Sequence, residues 1–139
     1  WKHNQVILTK AHDTFKGLSD EQLNILYNAA DLYASPAWAE GFGLTLAEAA
    51  KCGVPVVATD FAAGPEAFGP GGIAVPPARL FPSMHGHRWA LADLPAFSAA
   101  IETLVSDPAL RTRLGAAGEA YTAKFDWDHS ATKMLGIMS

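Results

Sequence analysis

The chain has 139 residues, half of them hydrophobic and 17% charged, with a formal net charge of −4. This length allows one domain at most, and a charge fraction below the roughly 25% of an average soluble domain implies that part of the surface is normally covered. The acidic balance excludes a basic field for nucleic acid or anionic membrane, the single cysteine excludes an internal disulfide, and no apolar run reaches the ~18 residues of a membrane span. In chain order, Gln5 to Lys10 reads as a short strand (5–9), followed by a polar loop to Gly17. Ser19 with Gln22 three residues on is a capping box that starts a helix. Leu23, Leu26, Tyr27 and Ala30 form its apolar stripe.

Asp31 to Ser35 reads as a short buried strand stopped by Pro36, and Pro55 to Thr59 as another, because β-branched runs suit a strand covered on both faces. Between them one helix runs from Leu44 to Cys52 and stops at Gly53. Such a β-α-β unit builds a parallel sheet. A turn and short helix follow to Phe68, then a glycine-proline turn at Gly69–Gly72 and a last strand, Gly72 to Pro76. Pro77 to Asp93 reads as a long loop, of the kind that is functional or mobile. Three helices close the chain. Phe97, Ile101, Leu104 and Val105 stripe the first. Asp107 caps the second with Pro108 at its first position, and Leu110, Leu114, Ala117 and Tyr121 are its expected buried face. Asp126 caps the third, whose face of Trp127, Ala131, Met134, Leu135 and Met138 reads as core more than as a partner surface, with some of it expected to be exposed in this chain.

The chemistry gathers between the two central strands. At Glu40-Gly41-Phe42-Gly43 the glycines allow a tight turn and close approach of backbone to a ligand. The free N–H groups of Leu44 and Thr45 then open a helix whose dipole favours an anion. Seven residues separate Glu40 from Glu48, and two carboxylates at a phosphate would repel it. They suit a larger ligand with a phosphate in the middle, accepting from sugar hydroxyls at either end. That ligand is a nucleotide sugar.

Glu40-Gly41-Phe42-Gly43, then Glu48-Ala49-Ala50-Lys51-Cys52-Gly53-Val54-Pro55-Val56-Val57-Ala58-Thr59, resemble the glutamate motif of family 4 retaining glycosyltransferases of the GT-B fold. Leu18 to Asp31, Gly64 with Glu66, and Phe125 with Trp127 resemble the same family. The resemblance implies an α/β fold, a partial Rossmann-like parallel sheet of about four strands with flanking helices. Residues 1–139 would form a single partial nucleotide-sugar-binding domain, the C-terminal half of the enzyme. The opening at Trp1 without a methionine fits a fragment, and the N-terminal acceptor domain and first donor-domain strands, with their diphosphate-clamping Arg and Lys, are expected elsewhere. The implied activity moves a hexosyl group from a nucleoside-diphosphate sugar to an acceptor hydroxyl with retention, without cofactor or obligatory metal. Glu40 is the catalytic candidate and holds the donor sugar with the backbone of Gly41, Phe42 and Gly43. Leu44 and Thr45 stabilise the leaving diphosphate, Glu48 binds the ribose, and Thr9, Lys10 and Ala11 wall the base. The implied partners are the donor and the N-terminal domain, with no nucleic acid. Strand 5–9 would pair with 31–35 or, through an exposed edge, with another copy as a homo-oligomer. The isolated chain is expected to be inactive, and its setting cytoplasmic.

Two readings stand beside this one: a non-catalytic Rossmann-like assembly module, and a GT-B sugar-phosphate epimerase. Glu40 and Glu48 also suit solvated charges, Gly41 and Gly43 mere turn glycines, and Thr45 a hydroxyl bonded to its own helix. His85 and His87 lack a Cys or acidic neighbour, so no metal is expected. Cys52 reads as a buried inert thiol, Glu66 as a structural hydrogen-bonding residue, and Asp13 and Asp60 as turn residues.

Overall fold

The computed structural model describes residues 17–138. The expected strand 5–9, Asp13, and the candidate base contacts Thr9, Lys10 and Ala11 lie outside the described residues. The elements in order are α1 (Asp20–Asn28), β1 (Tyr33–Ser35), α2 (Leu44–Lys51), β2 (Val56–Thr59), α3 (Gly64–Phe68), β3 (Gly72–Val75), β4 (Pro77–Pro82), β5 (Arg88–Ala92), α4 (Leu94–Ser106), α5 (Pro108–Thr122) and α6 (Trp127–Met138). β1, β2 and β3 form a parallel sheet in that order, with Val57 beside Ala34 on one side and Ile73 on the other. This is the expected α/β class.

β2 is central and all four of its residues are buried, as a short β-branched run between two helix layers requires. Its side chains alternate between the two faces. Val56 and Ala58 join Tyr27, Leu46, Ala49, Ala50 and Phe68 on the α2 side. Val57 joins Val75, Phe97, Ala100 and Leu104 on the α4 side. The local signals act as written: both halves of the Ser19–Gln22 capping box form, at 3.0 and 3.3 Å. Asp107 accepts from the Leu110 N–H at 2.9 Å and starts α5.

Four expectations are corrected. Pro77 to Asp93 is a β-hairpin, not a loop: β4 and β5 pair antiparallel from Pro77–Ala92 to Pro82–Arg88. Its prolines sit at the two ends of β4, where a missing N–H does least harm. The turn is closed by Ser83, whose Oγ accepts from the N–H groups of His85 and His87 at 3.2 Å each, and by Gly86 at φ +80°. Those histidines therefore belong to a turn, and among the described residues no three His, Cys, Asp or Glu converge as a metal group.

On α1 the apolar stripe is only partly covered. Tyr27 is buried and Leu23 half-buried, but Leu26 and Ala30 are exposed and the helix has ended by Ala30. On α5 the buried residues are Gly115, Gly118 and Thr122, while Leu110, Leu114, Ala117 and Tyr121 are half-buried. The glycines let α5 lie against the backbone: a Cβ on Gly115 would run into the Gly53 carbonyl, and one on Gly118 would meet the Gly71 Cα at 3.0 Å. Thr122 is buried because its hydroxyl donates to the Gly118 carbonyl at 2.8 Å. Finally, α6 buries nothing. The face read as core is open, because no described element lies over it.

Candidate functional site

The β1–α2 junction is built around Gly43. Its φ of +84° is left-handed, and a Cβ there would meet Leu46 Cδ1 at 2.9 Å and Ala67 Cβ at 3.2 Å. Only glycine satisfies both constraints. Gly41 has open space where its side chain would be. The Gly43 carbonyl takes the N–H groups of Leu46 and Ala47 at 3.0 Å. The N–H groups of Leu44 and Thr45 have no acceptor among the described residues, and Gly43 brings no side chain to cap them. α2 therefore opens with two unpaired donors at the positive end of its dipole. Thr45 is exposed, and its hydroxyl makes no hydrogen bond among the described residues.

The two glutamates lie in different surroundings. Glu40 is half-buried, its carbonyl accepts from Ala63 N–H at 3.4 Å, and its carboxylate has no partner among the described residues. It lines a cavity of about 10 Å³ with Ser35, Thr59, Phe61 and Gly64. The buried Thr59 hydroxyl, at the end of β2, also has no hydrogen-bond partner among the described residues. Glu48 is on the exposed side of α2 and accepts from the Tyr27 hydroxyl at 2.8 Å. It lines two larger hollows. One, of about 520 Å³, lies between α1 and α2 with Asn24, Tyr27, Lys51 and Cys52. The other, of about 490 Å³, lies beneath the start of α6 with Phe42, Leu44, Lys51, Lys124 and Phe125. Burial first, then the bond to Glu48, pushes the Tyr27 hydroxyl well above the ordinary tyrosine value, so it stays protonated. Cys52 is half-buried rather than buried, and desolvation followed by the charges of Glu48 and Glu119 pushes its thiol up. A thiol held protonated is a poor nucleophile.

Residues 4–121 match the family model described as glycosyl transferases group 1. The chain belongs to this family. A D-inositol 3-phosphate glycosyltransferase of Rhodococcus erythropolis is 35% identical over 118 residues, which cover 83% of this chain and 23% of that protein. The O-antigen chain mannosyltransferase B of Escherichia coli is 34% identical over 116 residues, covering 84% and 27%. Among solved structures, sucrose-phosphate synthase from Thermosynechococcus elongatus superposes with a TM-score of 0.68 at 30% identity, over 85% of this chain and 27% of that one. The chain spans about a quarter of the length of the curated relatives it matches.

In this group 1 glycosyltransferase chain, residues 40–45 are contiguous, but among the described residues Glu40 and Glu48 line different hollows. Phe42 is held from outside the motif. Its ring meets Phe125 edge-on at 5.5 Å, Phe125 meets Tyr121 at 5.8 Å, and the Lys124 ammonium lies 3.6 Å over the Tyr121 ring. On the other flank, Trp38 packs on Phe81 and Trp89 of the hairpin at 5.5 and 5.3 Å, and its carbonyl accepts from Ala90 N–H at 2.8 Å. Tyr27 and Thr59 are the polar groups that sequence reasoning missed. Tyr27 looked like one member of an apolar stripe. The sole signal for Thr59 is a hydroxyl ending an otherwise aliphatic strand. Among the described residues no helix is long and apolar enough to cross a membrane.

Proposed function

We propose that the protein carrying this chain is a glycosyltransferase that uses a nucleoside-diphosphate sugar, and that residues 1–139 form its donor-binding part. The observation that carries this reading is the opening of α2. Two unpaired N–H groups at a dipole's positive end, reached past a side-chain-free turn, stand between two carboxylates in separate surroundings. In this reading the N–H groups of Leu44 and Thr45 receive the diphosphate and stabilise the charge that builds as the sugar–phosphate bond breaks. Glu40, whose carboxylate has no partner among the described residues, accepts from hydroxyls of the transferred sugar beside Gly41, Phe42 and Gly43 and is the catalytic candidate. Glu48 accepts from the ribose diol, and Thr9, Lys10 and Ala11 wall the base. The acceptor hydroxyl's oxygen bonds to the anomeric carbon as the bond to the diphosphate breaks, and its proton passes to the departing diphosphate, with retained configuration. No metal or cofactor takes part, and the setting is cytoplasmic. An N-terminal domain would supply the acceptor site and the basic residues that complete the phosphate clamp. That domain is also a suitable cover for the open face of α6.

The open face of α6 also favours a second reading, an assembly module that binds no donor. Titration of the full-length protein with UDP, GDP and ADP separates the two. The donor reading expects one of the three to bind, with Glu48→Ala weakening it at least about tenfold, the scale of a lost hydrogen bond to a charged group. Absence of binding by all three at millimolar concentration would sink it.

A further inference from the structure

We infer that Tyr27 is a positioning residue for the donor: its hydroxyl holds the Glu48 carboxylate by Oε2 and leaves Oε1 directed to the ligand's vicinal hydroxyls. The inference rests on the donor-binding reading above and deepens it. Glu48 is exposed, and among the described residues Tyr27 is its sole hydrogen-bond partner, at 2.8 Å. A glutamate on an open helix face is otherwise free to sample its rotamers, and a ligand that needs one of them must stop the rest. Tyr27 removes that cost before the ligand arrives. Its own ring cannot wander: it is 7% exposed, sits in the core cluster with Leu46 and Ala47, and packs on Tyr33 with centroids 6.0 Å apart. The bond does not compete with the ligand either. An ionised carboxylate offers about four lone-pair positions, and Tyr27 uses one. α1 thus reaches across 21 residues of sequence to set one side chain of α2.

The bland alternative is that Glu48 merely satisfies a buried tyrosine hydroxyl and Tyr27 serves packing alone. Tyr27→Phe separates the two, because it keeps the ring and deletes the donor. The experiment uses full-length protein as wild type, Tyr27→Phe, Glu48→Ala and the double variant. For each, the dissociation constant of the nucleoside diphosphate that binds best among UDP, GDP and ADP is measured, with kcat and KM for the corresponding sugar donor, and the melting temperature. The expected result is an affinity loss and KM rise of about tenfold for Tyr27→Phe with kcat unchanged. In the Glu48→Ala background, Tyr27→Phe is expected to add nothing, since the two act as one unit. A Tyr27→Phe protein with wild-type affinity, whatever its melting temperature, overturns the inference while Glu48→Ala still upholds the donor site. An equal loss with and without Glu48 also overturns it. Unaltered binding by Glu48→Ala overturns the ribose role of Glu48 itself, and this inference falls with it.

Discussion

Helices α2 and α6 both carry apolar residues at helical spacing, and they end in opposite places. In α2, Leu46, Ala47, Ala49 and Ala50 are buried against β2 and its neighbours. In α6, Trp127 is 89% exposed and Met134, Leu135, Ile137 and Met138 are all at least two-thirds exposed. An apolar stripe shows that a face wants cover; it does not say where the cover is. For α2 the cover is a few residues away along the chain, in the strand that its own C-terminal turn leads into. For α6 no described element supplies it. The difference is one of connectivity: a β-α-β unit folds its helix back onto its own strands, whereas α6 belongs to no such unit among the described residues.

The largest test of this contrast is Leu46→Ala, which empties a fully enclosed position and is expected to cost about 3–4 kcal/mol. Urea unfolding checks it; a loss below about 1 kcal/mol would mean that α2 is not the buried partner described. Next is Gly115→Ala. The new methyl has no room beside the Gly53 carbonyl, so α5 must lift from the α2–β2 turn. A loss of about 2–3 kcal/mol is expected by the same measurement. A neutral outcome would show that the seam is looser than drawn. The smallest effect belongs to α6. Met134→Ser with Leu135→Ser is expected to change the stability of the 139-residue chain by less than about 0.5 kcal/mol, as surface positions do. The same pair in the full-length protein sharpens the comparison, for a loss well above that value would show that the cover comes from outside this chain.

The legible parts were those governed by neighbours in sequence. The Ser19–Gln22 box, the Asp107–Pro108 start and the run Val56-Val57-Ala58-Thr59 each act through residues within a turn or along one strand, so their outcome is readable in place. Gly43 is a case in part: the tight turn was readable in place, whereas the Ala67 Cβ that crowds it comes from α3. The hairpin was hidden because Pro77, Pro82 and Gly86 look like loop punctuation. Yet Arg79-Leu80-Phe81 and Trp89-Ala90-Leu91 around a five-residue turn held the signal. On α5 the larger apolar residues drew the expected face away from Gly115, Gly118 and Thr122. Small residues make the closest contacts, but they carry little weight in a hydrophobicity pattern.

The candidate site divides in the same way. The order Glu40, Gly41, Gly43, Glu48, the turn that the first three occupy and the free end of α2 follow from spacing and backbone chemistry alone. Family membership was likewise legible in the register of that motif. Tertiary structure alone decided that Tyr27 grips Glu48, that Phe42 leans on Phe125, that the Thr59 hydroxyl is enclosed without a partner among the described residues, and that the two glutamates face different hollows. The physical reason is range. Caps, turns and periodicity are settled within about one helical turn of sequence, whereas these contacts join side chains from separate elements, and their geometry exists only once the helices have been laid on the sheet.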